Sequence, residues 1–133
     1  MENSAMKEEN KFIKAVTKLI ELTQEGSVRW TVSRDNRNII QGTENVVELS
    51  YTTTYEGQRL RLYELKYKDY FDQDQYVWAT TVVLEMIDNE ENTVWSFPYN
   101  RAIADLLEAA QYQTAGVDEF INRLLSNPKN KPS

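Results

Sequence analysis

Carboxylates are the side chains with the most scope for acid–base chemistry in this sequence, because its 133 residues include no His and no Cys. Those two absences exclude Ser-His-Asp and Cys-His catalysis, thiolate zinc sites and disulfide bonds within the chain. Glu48, Glu64 and Glu85 lie in segments whose alternating pattern predicts β-strands. A carboxyl group between apolar neighbours can act as a general acid. The simpler interpretation, which we favour, is that Glu85 faces the open side of the sheet and pairs across it with a basic side chain: Arg59, Arg61 or Lys66.

Two acidic segments, 72–74 and 88–92, carry oxygen ligands at alternate positions, as calcium loops do. A calcium loop also needs Gly at its sixth position and Glu at its twelfth, and neither segment has them. The four glycines are isolated, so no phosphate-binding glycine motif occurs. We therefore expect solvated acidic turns, no metal site and no cofactor, and an enzyme is less expected than a binding protein.

Aromatic residues are concentrated in the middle of the chain. Six of the eight tyrosines fall between positions 51 and 76, joined by Phe71 and Trp78. Tyrosine suits half-buried strands, and it also supplies rigid contact area at protein interfaces. Beside Arg59 and Arg61, the same rings could stack on the bases of single-stranded nucleic acid. The six tyrosines are Tyr51, Tyr55, Tyr63, Tyr67, Tyr70 and Tyr76.

The net charge of −6 is unevenly distributed along the chain. Residues 1–63 carry nine acidic and nine basic side chains, whereas residues 64–119 carry twelve acidic and three basic ones. The last fourteen residues add three bases. Acids next to the tyrosines would repel phosphates, so these charges argue against a nucleic-acid partner and favour a basic protein partner.

Apolar spacing predicts a single α+β domain over residues 1–126, followed by a disordered tail over 127–133. Helices are expected at 7–24 and 102–113, with a last helix capped by Asp118. The helix at 102–113 is expected to be capped by Asn100 and to have an apolar face of Ile103, Leu106, Leu107 and Ala110. Between the first two helices lie about five or six strands in an antiparallel meander, whose one face the helices cover. The strands are expected at 28–32, 39–40, 46–68 as a hairpin, 76–87 and 93–97, with a loop at 69–75. In the first strand, Val28, Trp30 and Val32 are expected to share the inward face. The inward face of the last helix is expected to be Phe120, Ile121, Leu124 and Leu125.

The 46–68 hairpin is expected to turn at Glu56-Gly57, with Tyr55 opposite Gln58. This register divides its side chains between two faces, and a slip of one residue would exchange them. The core face would hold Val47, Leu49, Tyr51, Thr53, Leu60 and Leu62. The other face would be partly solvated and would hold Ser50, Thr52, Thr54, Arg59, Arg61, Tyr63, Leu65 and Tyr67.

A non-catalytic protein-binding or regulatory module is the leading hypothesis. In size, acidity and lack of cysteine the chain resembles bacterial immunity proteins and phage-encoded inhibitors, which implies a bacterial or phage origin but no residue roles. Two alternatives stay open: a small-molecule binder or carboxylate-dependent enzyme with an aromatic pocket, and a single-stranded nucleic-acid binder. The candidate partner surface comprises Arg59, Arg61, Tyr63, Tyr67, Tyr70, Phe71, Asp72 and Asp74.

A cytoplasmic location is expected. No apolar run approaches the roughly 18 residues of a membrane span, and the acidic start does not resemble a signal peptide. Homodimerisation through the hairpin or a sheet edge is compatible with each functional hypothesis.

Overall fold

The computed structural model describes residues 4–128. The predicted α+β class is confirmed: one helix comes first, an antiparallel sheet follows, and two helices come last. The five strands lie in the sheet in sequence order. Most of the predicted 127–133 tail lies outside the described residues. The elements are α1 (Ser4–Glu25), β1 (Thr31–Ser33), α2 (Arg37–Ile40), β2 (Ser50–Tyr55), β3 (Gln58–Tyr70), β4 (Tyr76–Ile87), β5 (Thr93–Ser96), α3 (Arg101–Thr114) and α4 (Val117–Ser126).

The predicted hairpin and its register are confirmed, with Tyr55 opposite Gln58 across β2 and β3. Its turn residues, Glu56 and Gly57, have φ angles of 51° and 80°. Two successive positive φ values belong to a tight turn whose twist matches that of the flanking strands. The glutamate is strained in this conformation, whereas glycine adopts it freely.

Helices α1 and α3 cover one face of the sheet and form the core with it. The four apolar residues predicted for the inward face of α3 are all buried, and Asn100 caps this helix as predicted by accepting a hydrogen bond from the Ala102 amide. Of the residues predicted for the core face of the hairpin, three lie in the core, Leu49 packs against it, and Val47 and Thr53 are buried outside it. Buried residues from both helices and the sheet form one cluster: Val16, Leu19, Val28, Trp30, Tyr51, Leu60, Leu62, Leu84, Ile103, Leu106, Leu107 and Ala110.

The strand predicted at 39–40 is wrong, because Arg37–Ile40 forms the single helical turn α2. The buried Asn36 side chain explains the difference. It donates hydrogen bonds to the carbonyls of Val47 and Glu48 and accepts one from the Ser50 hydroxyl. These bonds hold the segment against the start of β2, where it cannot pair as a strand.

Three predicted strand boundaries also differ. The first strand of the hairpin, predicted from residue 46, begins at Ser50, and Val46 forms only an isolated bridge with Lys66. The first strand begins at Thr31 and not at residue 28, because the Trp30 amide donates to the Gln113 side chain of α3 at 2.8 Å. Val32, predicted to share the inward face of Val28 and Trp30, is exposed. β3 continues to Tyr70, so the predicted loop at 69–75 is only the turn 71–75.

The second face of the hairpin is less solvated than predicted. Ser50, Arg61 and Tyr63 are buried on it. The α2 segment and the 88–92 turn cover this face, and they meet where the Asn38 amide donates to the Glu91 carboxylate at 3.3 Å. Only a fold that brings these two connections together could bury residues that alternate with the core.

The predicted inward face of the last helix is wrong, since no residue of α4 is buried. Phe120, Ile121, Leu124 and Leu125 are all exposed. Helix α4 begins after the left-handed residue Gly116 and contacts α3. The face of the sheet is already occupied by α1 and α3, so α4 has no room to reach the core.

Candidate binding surface

The β3–β4 hairpin extends beyond its neighbouring strands. β3 and β4 pair continuously from Arg59 opposite Ile87 to Tyr70 opposite Tyr76. β2 pairs only with residues 58–63 of β3, and β5 pairs only with residues 85–87 of β4. The remainder is a two-stranded ribbon, joined on the β3 side by a bridge between Val46 and Lys66. We call residues 67–78 the hairpin end.

Three aromatic rings form a ladder on one face of the hairpin end. The pairs Tyr70 with Tyr76 and Lys68 with Trp78 place all four side chains on this face. The ring centroids of Tyr70 and Tyr76 are 5.3 Å apart, and those of Tyr76 and Trp78 are 6.0 Å apart. Trp78 is 52% exposed and Tyr70 49%, and Phe71 in the adjacent turn is 67% exposed. The ladder is therefore ordered and accessible.

A lysine and a glutamate hold this ladder in place. The Lys68 ammonium group lies 4.6 Å from the Tyr76 ring centroid and 5.8 Å from that of Trp78, a cation–π arrangement. Glu44 lies 3.5 Å from the same ammonium group and accepts a 3.0 Å hydrogen bond from the Tyr70 hydroxyl. This hydrogen bond is the main reason that the pKa of Tyr70 is raised. Burial alone lowers the pKa of Lys68, but the charge of Glu44 and the two tyrosines outweigh it, so the pKa is raised.

Neither Lys68 nor Glu44 was identified from the sequence. Lys68 and Trp78 lie near the ends of two successive predicted strands, and a tight turn between these strands would have paired them. The longer loop expected at 69–75 concealed this pairing. Glu44 has no such signal. It lies in a connection without regular structure, and only the bridge of Val46 to β3 brings it alongside Lys68 and Tyr70.

The candidate partner surface does not form one patch. Arg59, Arg61 and Tyr63 lie toward the opposite end of β3, and at about 3.3 Å per residue Arg59 is roughly 36 Å from Tyr70. Arg61 and Tyr63 are only 5% and 6% exposed, so they do not lie at the surface. The structure brings together the other members at the hairpin end, and these are Tyr67, Tyr70, Phe71, Asp72 and Asp74. Tyr67 is half-buried and lies on the face opposite the ladder.

Glu85 pairs across the sheet as predicted, with Arg61 as its partner at 2.6 Å, but the prediction that it faces the open side is wrong, because both side chains are buried. The Arg61 guanidinium also donates to the Glu91 carbonyl and the Thr93 hydroxyl, and Thr93 donates to the second oxygen of Glu85. Burial and then the charge of Glu85 raise the pKa of the neighbouring Tyr63. The network occupies both Glu85 oxygens, and its arginine is not available to a phosphate.

Two hollows among the described residues bear on the hypothesis of a small-molecule pocket. One, beside Glu48 and Glu64, has about 100 Å³ and Tyr51 as its one aromatic lining residue. Ligand pockets usually have about 300–1,000 Å³, so this hollow is too small for most ligands. The other is an open groove of about 660 Å³ between the end of α1, α3 and the start of α4. Its charged lining is mostly acidic, namely Glu25, Arg29, Asp105, Glu108, Asp118 and Glu119.

Neither hollow is an enclosed aromatic pocket of the kind required by the alternative of a small-molecule binder.

No helix within residues 4–128 combines the length and apolarity that crossing a membrane requires. A scan against protein-family models, a search of the curated proteins and a search of the solved structures found no match.

Proposed function

We propose that the chain is a non-catalytic protein-binding or regulatory module, and that its partner contacts the hairpin end. The exposed ladder of Tyr70, Tyr76 and Trp78 is the observation that carries this proposal. Tyrosine and tryptophan bury a large area at a low cost in side-chain entropy, and they dominate the energetics of protein interfaces. Here Glu44 and Lys68 restrain the rings before any partner arrives, so binding orders fewer side chains.

The charge of the hairpin end supports a basic partner. Asp69, Asp72 and Asp74 are exposed, and within the described residues none of them forms an ion pair. Such a surface would steer a basic protein toward the aromatic ladder, and salt would weaken this attraction. A toxin, a nuclease or another nucleic-acid-binding protein has the required charge. The module would then act in the cytoplasm as an inhibitor or immunity-like protein of bacterial or phage origin.

Quantitative capture of proteins from a lysate of the source organism tests this proposal. The bait is the chain itself, compared with a variant that carries Tyr70→Ala, Tyr76→Ala and Trp78→Ala. We expect the wild-type chain to retain a specific protein, and the variant to lose at least about 2 kcal/mol of binding, or roughly thirtyfold in affinity, as at interface hot spots. Raising the salt concentration should slow association more than it speeds dissociation.

Tyr99→Ala together with Tyr112→Ala is the matched control, because both tyrosines are exposed outside the hairpin end. This control should capture the same protein as the wild-type chain. Equal capture by all three baits would show that the hairpin end is not the binding surface. A failure of every bait to retain any protein above background would count against a binding function as a whole.

A further inference from the structure

Among the strands of residues 4–128, β4 lacks a neighbour along most of one edge. β5 pairs with residues 85–87 of β4, and the Phe97 amide donates to the Leu84 carbonyl at 2.9 Å. From residue 82 back to residue 76, β4 has β3 on one side and none of the described strands on the other. We call residues 76–82 the free edge.

The backbone groups that the free edge offers can be assigned. Because the Leu84 carbonyl points toward β5, the even-numbered residues of β4 direct their N–H and C=O groups outward. The Gln75 carbonyl accepts from Phe71 across the hairpin, which agrees with odd-numbered residues pointing toward β3. The outward set is therefore Tyr76, Trp78, Thr80 and Val82.

The free edge has none of the features by which proteins protect such edges. Its sequence, Tyr-Val-Trp-Ala-Thr-Thr-Val, contains no charge, no proline and no glycine. Exposed sheet edges are normally short, charged, interrupted by proline or covered, because unpaired backbone groups recruit another strand. Glu85 is the one charged residue of β4, and it lies beyond the free edge in an ion pair with Arg61.

We infer that the free edge binds the free edge of a second copy of this chain, in antiparallel register about a two-fold axis at Ala79. The free edge is centred on Ala79, so only this register uses all of it in a symmetric pair. It makes about eight backbone hydrogen bonds and joins the two sheets into one. Each large side chain then faces a β-branched one, which is a favourable cross-strand combination, and no like charges meet. The pairs are Tyr76 with Val82, Val77 with Thr81, and Trp78 with Thr80.

The absence of cysteine allows a direct test by disulfide trapping of single-cysteine variants. Residues on the axis form a non-hydrogen-bonded pair with Cα atoms about 4.5 Å apart, within the range that a disulfide spans. Ala79→Cys should therefore cross-link on mild oxidation at least about tenfold faster than a cysteine that meets its copy only by collision. Ala115→Cys, at an exposed alanine after α3, is that matched control.

A second control tests the register. Thr81→Cys faces residue 77 of the copy and should cross-link slowly alone, but rapidly when mixed with Val77→Cys. Equal rates for Ala79→Cys and Ala115→Cys would overturn the inference. Rapid cross-linking of Thr81→Cys alone would overturn the register.

Sedimentation of the purified chain tests the pairing without cysteine. The wild-type chain should have twice the mass of the monomer, and Thr80→Pro should be monomeric, because it removes an outward N–H that β3 does not use. Thr80→Lys places a charge at the edge and serves as a second variant if the proline prevents folding. A monomeric wild-type chain at high concentration would overturn the inference. Because only purified protein is used, this result is independent of partner capture through the hairpin end.

Discussion

Arg61 and Glu85 form an ion pair whose side chains are almost completely buried. Burying two charges costs solvation energy, and only their mutual attraction and their hydrogen bonds to Glu91 and Thr93 offset that cost. We predict that Arg61→Ala, which leaves the Glu85 carboxylate buried without its cation, lowers the free energy of unfolding by about 3–5 kcal/mol. Urea denaturation measures this difference.

The double variant Arg61→Met with Glu85→Leu should regain most of that loss, because no uncompensated charge stays behind. Arg37→Ala is the control at an exposed ion pair with Asp35, and it should change stability little. A single variant Arg61→Ala as stable as the wild-type chain would contradict the burial of this pair.

Tyr63 makes the free energy of unfolding fall at alkaline pH. Burial and the charge of Glu85 raise its pKa above the ordinary value of 10.0, so the folded chain keeps a proton that the unfolded chain releases. The stabilisation is complete below pH 10 and is lost as the pH rises further. We predict that Tyr63 contributes a loss that approaches about 1.4 kcal/mol per pH unit, so stability falls less steeply with pH in Tyr63→Phe than in the wild-type chain.

Denaturation curves of both proteins between pH 8 and pH 11 measure this difference in slope. Tyr99→Phe removes a hydroxyl from an exposed ring and is the matched control. Identical slopes for Tyr63→Phe and the wild-type chain would show that Tyr63 exchanges its proton in the folded state as it does in the unfolded state.

At the scale of the elements, α3 and α4 have the same apolar periodicity but different surroundings. Leu106 of α3 is completely buried, whereas Leu125 of α4 is 78% exposed. We predict that Leu106→Ala lowers the free energy of unfolding by about 2–5 kcal/mol, and that Leu125→Ala changes it by less than about 0.5 kcal/mol. Thermal or urea denaturation of the two matched variants decides the point. Similar losses for both would place α4 against the core after all.

Gln113 shows how one side chain can connect separate elements. Its amide donates to the carbonyls of Thr23 and Val28 and accepts from the Trp30 amide. It thereby joins the end of α1 and the start of β1 to α3. A glutamine near the end of an amphipathic helix gives no signal of this role in the sequence, because its three partners lie more than eighty residues away.

At the scale of the whole molecule, β3 and β4 are longer than the neighbouring strands β2 and β5. This difference in length exposes the two surfaces that we propose for binding. The helices cover the half of the sheet that carries Leu62 and Leu84, and the same face continues uncovered as the aromatic ladder. The hairpin end and the free edge both arise from this overhang.

The sequence by itself determined the local features of this protein. Alternation and turn chemistry identified the Glu56-Gly57 hairpin and its register, helical spacing identified the buried face of α3, and the cap at Asn100 marked its start. These features could be predicted because they depend on neighbours in the chain and on the two periods of 3.6 and 2.0 residues.

Only the tertiary structure decided which patterned surfaces are covered. α4 has an apolar face with no room at the sheet, and the odd-numbered face of β3 is buried at Arg61 and Tyr63 because two distant connections meet above it. Glu44 likewise contacts Tyr70 because a connection that is distant in the sequence lies beside the hairpin end. Periodicity specifies that a face is apolar or polar, but burial depends on competition among all elements for the same surface, which no local pattern records.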